Sequence, residues 1–329
     1  MPPRELAGPE ETVFSPNQAS SLAVASVKNR QTSADIGIKT GITSIDKIML
    51  PMRPGELITV IGFTSNYKSG LMTYIAKSAE HQLVGPEDIV VYISWEQSVE
   101  EQTILGLAHL SLIDASKLYK GEISEYEWKK MMDSAVKRAS SPLWLIGHSE
   151  ANEKRRPRLS MTDVGIALSY VVDVHKKRPA LVVLDYLQRI NRVDSRSADI
   201  RVGFIEIVDR SKDLALAFHC PVLLGTQAGR QVLDRKWKQP SIADSSETSN
   251  LEQSSDKVLS VWLPKTSEPP NSQLRYGSME FAVNDNLLLV HLLKQRYGLA
   301  PYLFALHVKP EVNQIFPLLP EDEETDENS

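Results

Sequence analysis

A single cysteine, Cys220, occurs in the 329 residues. An intrachain disulfide is therefore excluded, and so is a zinc centre built from thiolates. No apolar run approaches the roughly 20 residues that cross a bilayer. The opening residues, MPPRELAGPEETVF, lack the charged-then-apolar layout of a signal peptide. These absences lead us to expect a reducing, cytoplasmic setting and no membrane partner. His148 and His175 have no second ligand at metal-binding spacing, and no internal repeat is visible. Cys220, just before an apolar strand, reads as a small core residue.

Hydrophobic residues make up 42% and charged residues 24%, an ordinary balance for a chain with a sizeable core. The net charge of -5 is uneven: the last nine residues, EDEETDENS, hold six acids and no base. The rest of the chain carries 37 basic against 36 acidic residues, about +1, which neither demands nor excludes a nucleic-acid partner.

Short apolar runs rich in Val, Ile and Leu recur from position 57 onward: LITVI, IVVYIS, LWLI, LVVLD, VLLG and VLSVWL. Such runs read as strands buried on both faces, and stretches of helical spacing separate the first five. That alternation predicts an α/β fold, a mostly parallel sheet flanked by helices. LLLVHLLK and YLFALHV, joined by RYGLAP, read as a closing hairpin at the sheet edge. We expect a flexible arm over 1–35 with a short helix near Ala19–Asn29, one α/β domain over 36–318, and a disordered acidic tail over 319–329.

The stretch VIGFTSNYKSG places Gly62, Lys68 and Ser69 as in the phosphate-binding pattern G-x-x-x-x-G-K-[ST]. In such a loop backbone N–H groups at a helix N-terminus wrap a phosphate, the lysine neutralises it, and the hydroxyl ligates Mg²⁺. The residue before the lysine is Tyr67 rather than glycine. A side chain there implies backbone strain on the order of 1 kcal/mol or a reshaped loop. By itself the motif also fits a chance match on an ordinary strand–helix turn. Three further strand ends carry polar groups: Glu96 in SWEQ, Asp185 closing LVVLD, and Gln227 in VLLGTQ. Asp185 has the layout of an acid that holds Mg²⁺ through water, Glu96 that of a base for the attacking water, and Gln227 that of a γ-phosphate sensor.

With these residues the chain resembles the RecA-type motor domain of DnaB-like replicative helicases across roughly residues 37–317. The resemblance runs through TGITSIDKIMLPMRPGELITVIG, VVYISWEQSVEEQ, LVVLDYLQRI, HCPVLLGTQAGRQV, SSETSNLEQSSDKVLSVW and KQRYGLAPYLFALHV. It implies a RecA-like P-loop NTPase core that hydrolyses ATP with Mg²⁺, assembled as a hexameric or similar ring on single-stranded DNA, in a bacterial, phage or mobile-element host. By the same resemblance Gly62, Thr64, Ser65, Asn66, Tyr67, Lys68, Ser69 and Gly70 bind the nucleotide, and Ser69 and Asp185 hold the metal. Glu96 and Gln227 are then catalytic, together with Lys294 and Arg296, which would reach into a neighbouring subunit's ATP. Alternation along a strand puts Lys294 and Arg296 on one face, although a charged, solvated edge strand would look the same.

The sequence departs from the family in three places. Tyr67 is one. In the segment that resembles the family's channel-facing loop, Ser246 and Ser249 stand where the family has an arginine and a glycine, while Glu247, Glu252 and Gln253 match. The residues before the domain are too few for the helical collar of bacterial replicative helicases. Arg189, Arg192, Arg196 and Arg201 follow the Asp185 strand and, with Glu247, are the candidates for contact with single-stranded DNA; without interleaved aromatics these contacts would go to phosphates. EKRRPR and HKKRP read as solvated surface. The departures leave a second reading open, a nucleotide-gated scaffold or loader that does not unwind DNA. A protein partner through the arm or the acidic tail is compatible with either.

Overall fold

A computed structural model describes residues 13–32, 37–152, 158–192, 199–245 and 248–318. The acidic tail and residues 1–12 lie outside these. Helix α1 (Pro16–Thr32) is longer than the short helix expected, and its side chains are almost all exposed. A four-residue turn of helix, α2 (Thr43–Asp46), leads into β1 (Leu57–Gly62), the loop 63–67 and α3 (Lys68–Glu80).

The expected alternation follows. In chain order come β2 (Asp88–Ser94), α4 (Val99–Ser111), α5 (Ala115–Lys120), α6 (Glu125–Ala139), β3 (Leu143–Ile146) and α7 (Met161–Asp173). Then come β4 (Arg178–Asp185), α8 (Ile200–Phe218), β5 (Val222–Gln227), α9 (Thr248–Ser254) and β6 (Lys257–Trp262). Capping boxes at Ser98, Ser124 and Ser160 start three of these helices, each serine accepting from the amide three residues on.

A nine-stranded sheet, including three strands introduced below, runs β11-β10-β9-β6-β1-β5-β4-β2-β3. The six strands from β6 to β3 are parallel. Period-two alternation divides the core between the faces. Ile58 and Val60 of β1 and Val90 and Tyr92 of β2 pack with Leu71, Met72, Ile75 and Ala76 of α3. Leu57, Ile89 and Val91 face the other way, against Val164 and Leu168 of α7 and Val208 of α8.

Three readings need correction. LWLI is not buried on both faces: β3 is an edge strand, so only Leu143 is fully covered. The hairpin of β9 (Leu287–Gln295) and β10 (Tyr302–Lys309) is not the edge, because β11 (Gln314–Pro317) adds outside it. A two-stranded ribbon, β7 (Gln273–Tyr276) with β8 (Met279–Ala282), was not visible in the sequence pattern. Among the described residues no helix is long and apolar enough to cross a membrane.

Candidate nucleotide site

Because β1, β5, β4 and β2 are parallel neighbours, their C-terminal ends meet at one edge of the sheet, where α/β proteins bind ligands. Gly62, Gln227, Asp185 and Ser94 close these four strands. A cavity of about 380 Å³ sits there, lined by residues 62–70 of the loop together with Glu96, Tyr186 and Gln227.

Lys68 opens α3 and is buried. Its ammonium pairs with Asp185 Oδ1 at 3.0 Å, and the other carboxylate oxygen accepts from the Tyr92 hydroxyl at 2.8 Å. The same ammonium lies 4.1 Å from the centre of the Tyr186 ring. Gly225 of β5 permits this approach: a Cβ there would stand 3.3 Å from Lys68 Nζ and 3.2 Å from Tyr186 Cβ. Beside a buried carboxylate, the Tyr92 phenol is held well above its usual range, first by burial and then by the Asp185 charge.

The loop retains left-handed torsions, φ 63° at Ser65 and 65° at Tyr67. Tyr67 therefore takes up the strained left-handed backbone itself. The cost, on the order of 1 kcal/mol, is offset by burial of the ring. The Tyr67 hydroxyl donates to Asn313 Oδ1 at 2.5 Å, and burial, then the charge of Glu311, pushes the phenol upward. Gly70 complements it, since a Cβ there would come within 2.5 Å of the ring. Asn313 is 4% exposed and its Nδ2 has no partner among the described residues. Tyr67→Phe is thus expected to lower unfolding free energy by about 1–2 kcal/mol, read by urea denaturation, because the Asn313 side chain loses its one donor. An unchanged midpoint would mean that water replaces the phenol.

Asn66 lines the cavity, and its side chain also bonds to other segments. Its Oδ1 accepts from Leu263 N and Thr266 Oγ1 at 2.9 and 3.1 Å, and its amide donates to Thr64 O. The side chain pins the loop to the segment after β6. The Gln227 amide donates to Thr64 Oγ1, and the Gln227 backbone N–H is held by Gln188 Oε1 at 3.1 Å. Glu96 is exposed at the rim, 3.4 Å from Arg189, whose Nε also donates to the Tyr186 hydroxyl at 3.2 Å. Arg189 therefore meets two residues that line the cavity, Glu96 and Tyr186. Arg192 lies over the Phe204 ring at 5.2 Å. Arg196 and Glu247 fall outside the described residues, and Arg201 lies in α8.

Lys294 and Arg296 do not line the cavity of their own chain. Both meet the segment around the turn between α9 and β6. Lys294 donates to the carbonyls of Glu252 and Ser255, and Arg296 contacts Asp256 at 3.2 Å. Sequence reasoning missed Tyr92, Tyr186, Gln188 and Asn313. The DYLQ following the buried strand held a signal for two of them; nothing local marked Asn313.

The donor set suits a phosphate chain. Among the described residues, the amide N–H groups of Ser65, Tyr67, Lys68, Ser69 and Gly70 meet no protein acceptor. Lys68 spends one of its three donors on Asp185. The Ser69 hydroxyl and the Asp185 carboxylate are oxygen donors of the kind Mg²⁺ takes, although both Asp185 oxygens are engaged here by Lys68 and Tyr92. No group of three or more His, Cys, Asp or Glu able to hold a metal alone occurs among the described residues.

Comparison with known proteins shows the family and the fold. The replicative DNA helicase DnaB of Mycoplasma genitalium is 24% identical over 226 residues, covering 68% of this chain and 46% of its own length. The replicative DNA helicase DnaC of Bacillus subtilis is 25% identical over 268 residues, 80% of this chain and 52% of that protein. The chain thus spans about half the length of these relatives. A solved ATPase domain superposes with a TM-score of 0.76 at 18% identity, covering 93% of this chain and 100% of that one. A DnaB-like replicative helicase studied with primase gives 0.75 at 18%, covering 93% of this chain and 68% of that one. The family described as the DnaB-like helicase C-terminal domain matches residues 37–308, and the chain belongs to that family.

Proposed function

We propose that the protein is an ATP-hydrolysing, ring-forming helicase motor acting on single-stranded DNA in the cytoplasm. The domain is 36–318, with 1–35 as an arm and 319–329 as an acidic tail. One observation carries this reading: Lys68, Glu96 and Gln227, following three strand ends, line a single cavity where five amides of the loop meet no protein acceptor among the described residues. The replicative helicase relatives support it.

In this reading the loop amides and Lys68 hold the β- and γ-phosphates. Ser69 and Asp185 hold Mg²⁺, which when bound offsets charge on the phosphates. Glu96 accepts the proton of the attacking water, and Arg189 orients that carboxylate from the rim. Gln227, held by Gln188, reports on the γ-phosphate through the loop after β5. Lys294 and Arg296 face the neighbouring subunit's nucleotide, which requires a head-to-tail ring. Arg192, Arg196, Arg201 and Glu247 contact DNA.

The reading is tested by steady-state ATPase assays with and without single-stranded DNA. Stimulation of about tenfold or more is expected, together with loss of turnover in Glu96→Gln by ~10²–10⁴. A rate indifferent to DNA would overturn the motor. Nucleotide-dependent oligomers that fail to displace a strand would favour the scaffold.

A further inference from the structure

A second cavity, of about 470 Å³, opens between α3, α4 and α6, away from the phosphate loop. Its wall carries Lys77, His81, His109, Lys137 and Arg138 against one carboxylate, Glu80. Lys77 is 9% exposed and donates to the carbonyl of Leu105 at 3.1 Å. Among the described residues this carbonyl is its one acceptor, and neither Lys77 nor Arg138 makes an ion pair with a carboxylate. Glu80 accepts instead from the Ser141 hydroxyl, at 2.5 Å.

Burial pushes Lys77 down to about 7, with Glu80 working against that shift and Arg138 adding to it. Burial likewise holds Arg138 below its ordinary value, Glu80 opposing. His109 is lowered by burial and then by the Lys77 charge, and its Nδ1 meets the carbonyl of Asn313 at 2.9 Å. A half-enclosed group of basic side chains with a single acid loses solvation that a bound anion would restore. Charge-assisted hydrogen bonds to an oxyanion are the strongest such a site can make. The volume is that of a small-molecule pocket.

We propose that this cavity binds a phosphate-bearing small-molecule anion, its charge held by Lys77 and Arg138. The site touches the helix that carries Lys68 and, through His109 and Asn313, the residue that holds Tyr67.

Inorganic pyrophosphate and a nucleoside monophosphate, titrated calorimetrically, are the probes. The proteins are the wild type, Lys77→Met, Arg138→Gln and the phosphate-loop variant Ser69→Ala. Thermal melts confirm that each is folded, and half-exposed Arg138 keeps the test open should Lys77→Met not fold. Binding of either probe should persist in Ser69→Ala and weaken by about tenfold or more in the cavity variants, the loss expected for one charge-assisted hydrogen bond. Binding of pyrophosphate alone would identify a bare anion as the ligand, and binding of both a phosphate headgroup. Affinities unchanged in the cavity variants, or no wild-type binding at millimolar concentrations, would overturn the proposal. Loss only in Ser69→Ala would also overturn it, while supporting the phosphate loop.

Discussion

Arg296→Ala is expected to lower kcat for ATP hydrolysis by ~10³–10⁵, the range for an arginine supplied to the transferring phosphoryl group. Nucleotide affinity should fall far less, because Arg296 does not line the cavity of its own chain. The fold should hardly notice. Arg296 is 49% exposed and its contact with Asp256, at 3.2 Å, resembles a surface ion pair worth at most about 1 kcal/mol. Asp256 keeps its stronger partners, Lys212 at 2.6 Å and the Leu57 amide at 2.9 Å. A mixing experiment separates an arginine acting in trans from a structural one. Arg296→Ala protomers combined with Lys68→Ala protomers should recover part of the turnover, since each supplies what the other lacks at a shared interface. Wild-type kcat in Arg296→Ala alone would remove the arginine from the reaction and leave it as a partner of Asp256.

Lys68→Ala should abolish nucleotide binding and also weaken the fold. The Lys68–Asp185 pair is buried, with side-chain exposures of 9% and 5%. Removing the ammonium leaves a buried carboxylate held by the Tyr92 hydroxyl, and breaking one side of such a pair costs about 3–5 kcal/mol. Replacing both partners is milder, because no uncompensated charge is left. The double variant Lys68→Met with Asp185→Asn is therefore expected to be more stable than Lys68→Met alone, in urea denaturation followed by a double-mutant cycle. A Lys68→Ala protein within about 1 kcal/mol of wild type would show that water already screens the pair. Retained nucleotide binding in the same protein would count against the phosphate loop itself.

Much of the fold was legible because its strands are buried on both faces. LVVLD and VLLG could be nothing else once helical stretches flanked them, and their boundaries moved by only a few residues. Edges were harder: LWLI has the composition of a central strand, yet only its position outside β2 exposes Trp144 and Ile146. β11 was not anticipated either, since four residues carry too little periodicity to announce a strand. At the site, residue types and spacing named Lys68, Ser69, Glu96, Asp185 and Gln227. They did not name their partners. Tyr67 and Asn313 are 246 positions apart, and Asn313 sits in a turn with no motif. Asn66 looked like another phosphate-loop residue, and only the fold turned it toward Leu263.

The amino-acid sequence alone determined the parallel α/β core, the family and the identity of the groups at the strand ends, because burial on both faces and fixed spacing along a chain are local properties. Tertiary structure decided how those groups are held. It set Lys68 against Asp185, Arg189 against Glu96 and Tyr67 on Asn313, and it gathered Lys77 and Arg138 from separate helices around one cavity. Each of these depends on segments far apart in sequence being packed together, so no window of the chain contains it. For Tyr67 the outcome is specific: a residue that looked like a defect in the phosphate loop takes the left-handed backbone of the missing glycine. Its ring and hydroxyl, anchored at the far end of the chain, hold it there.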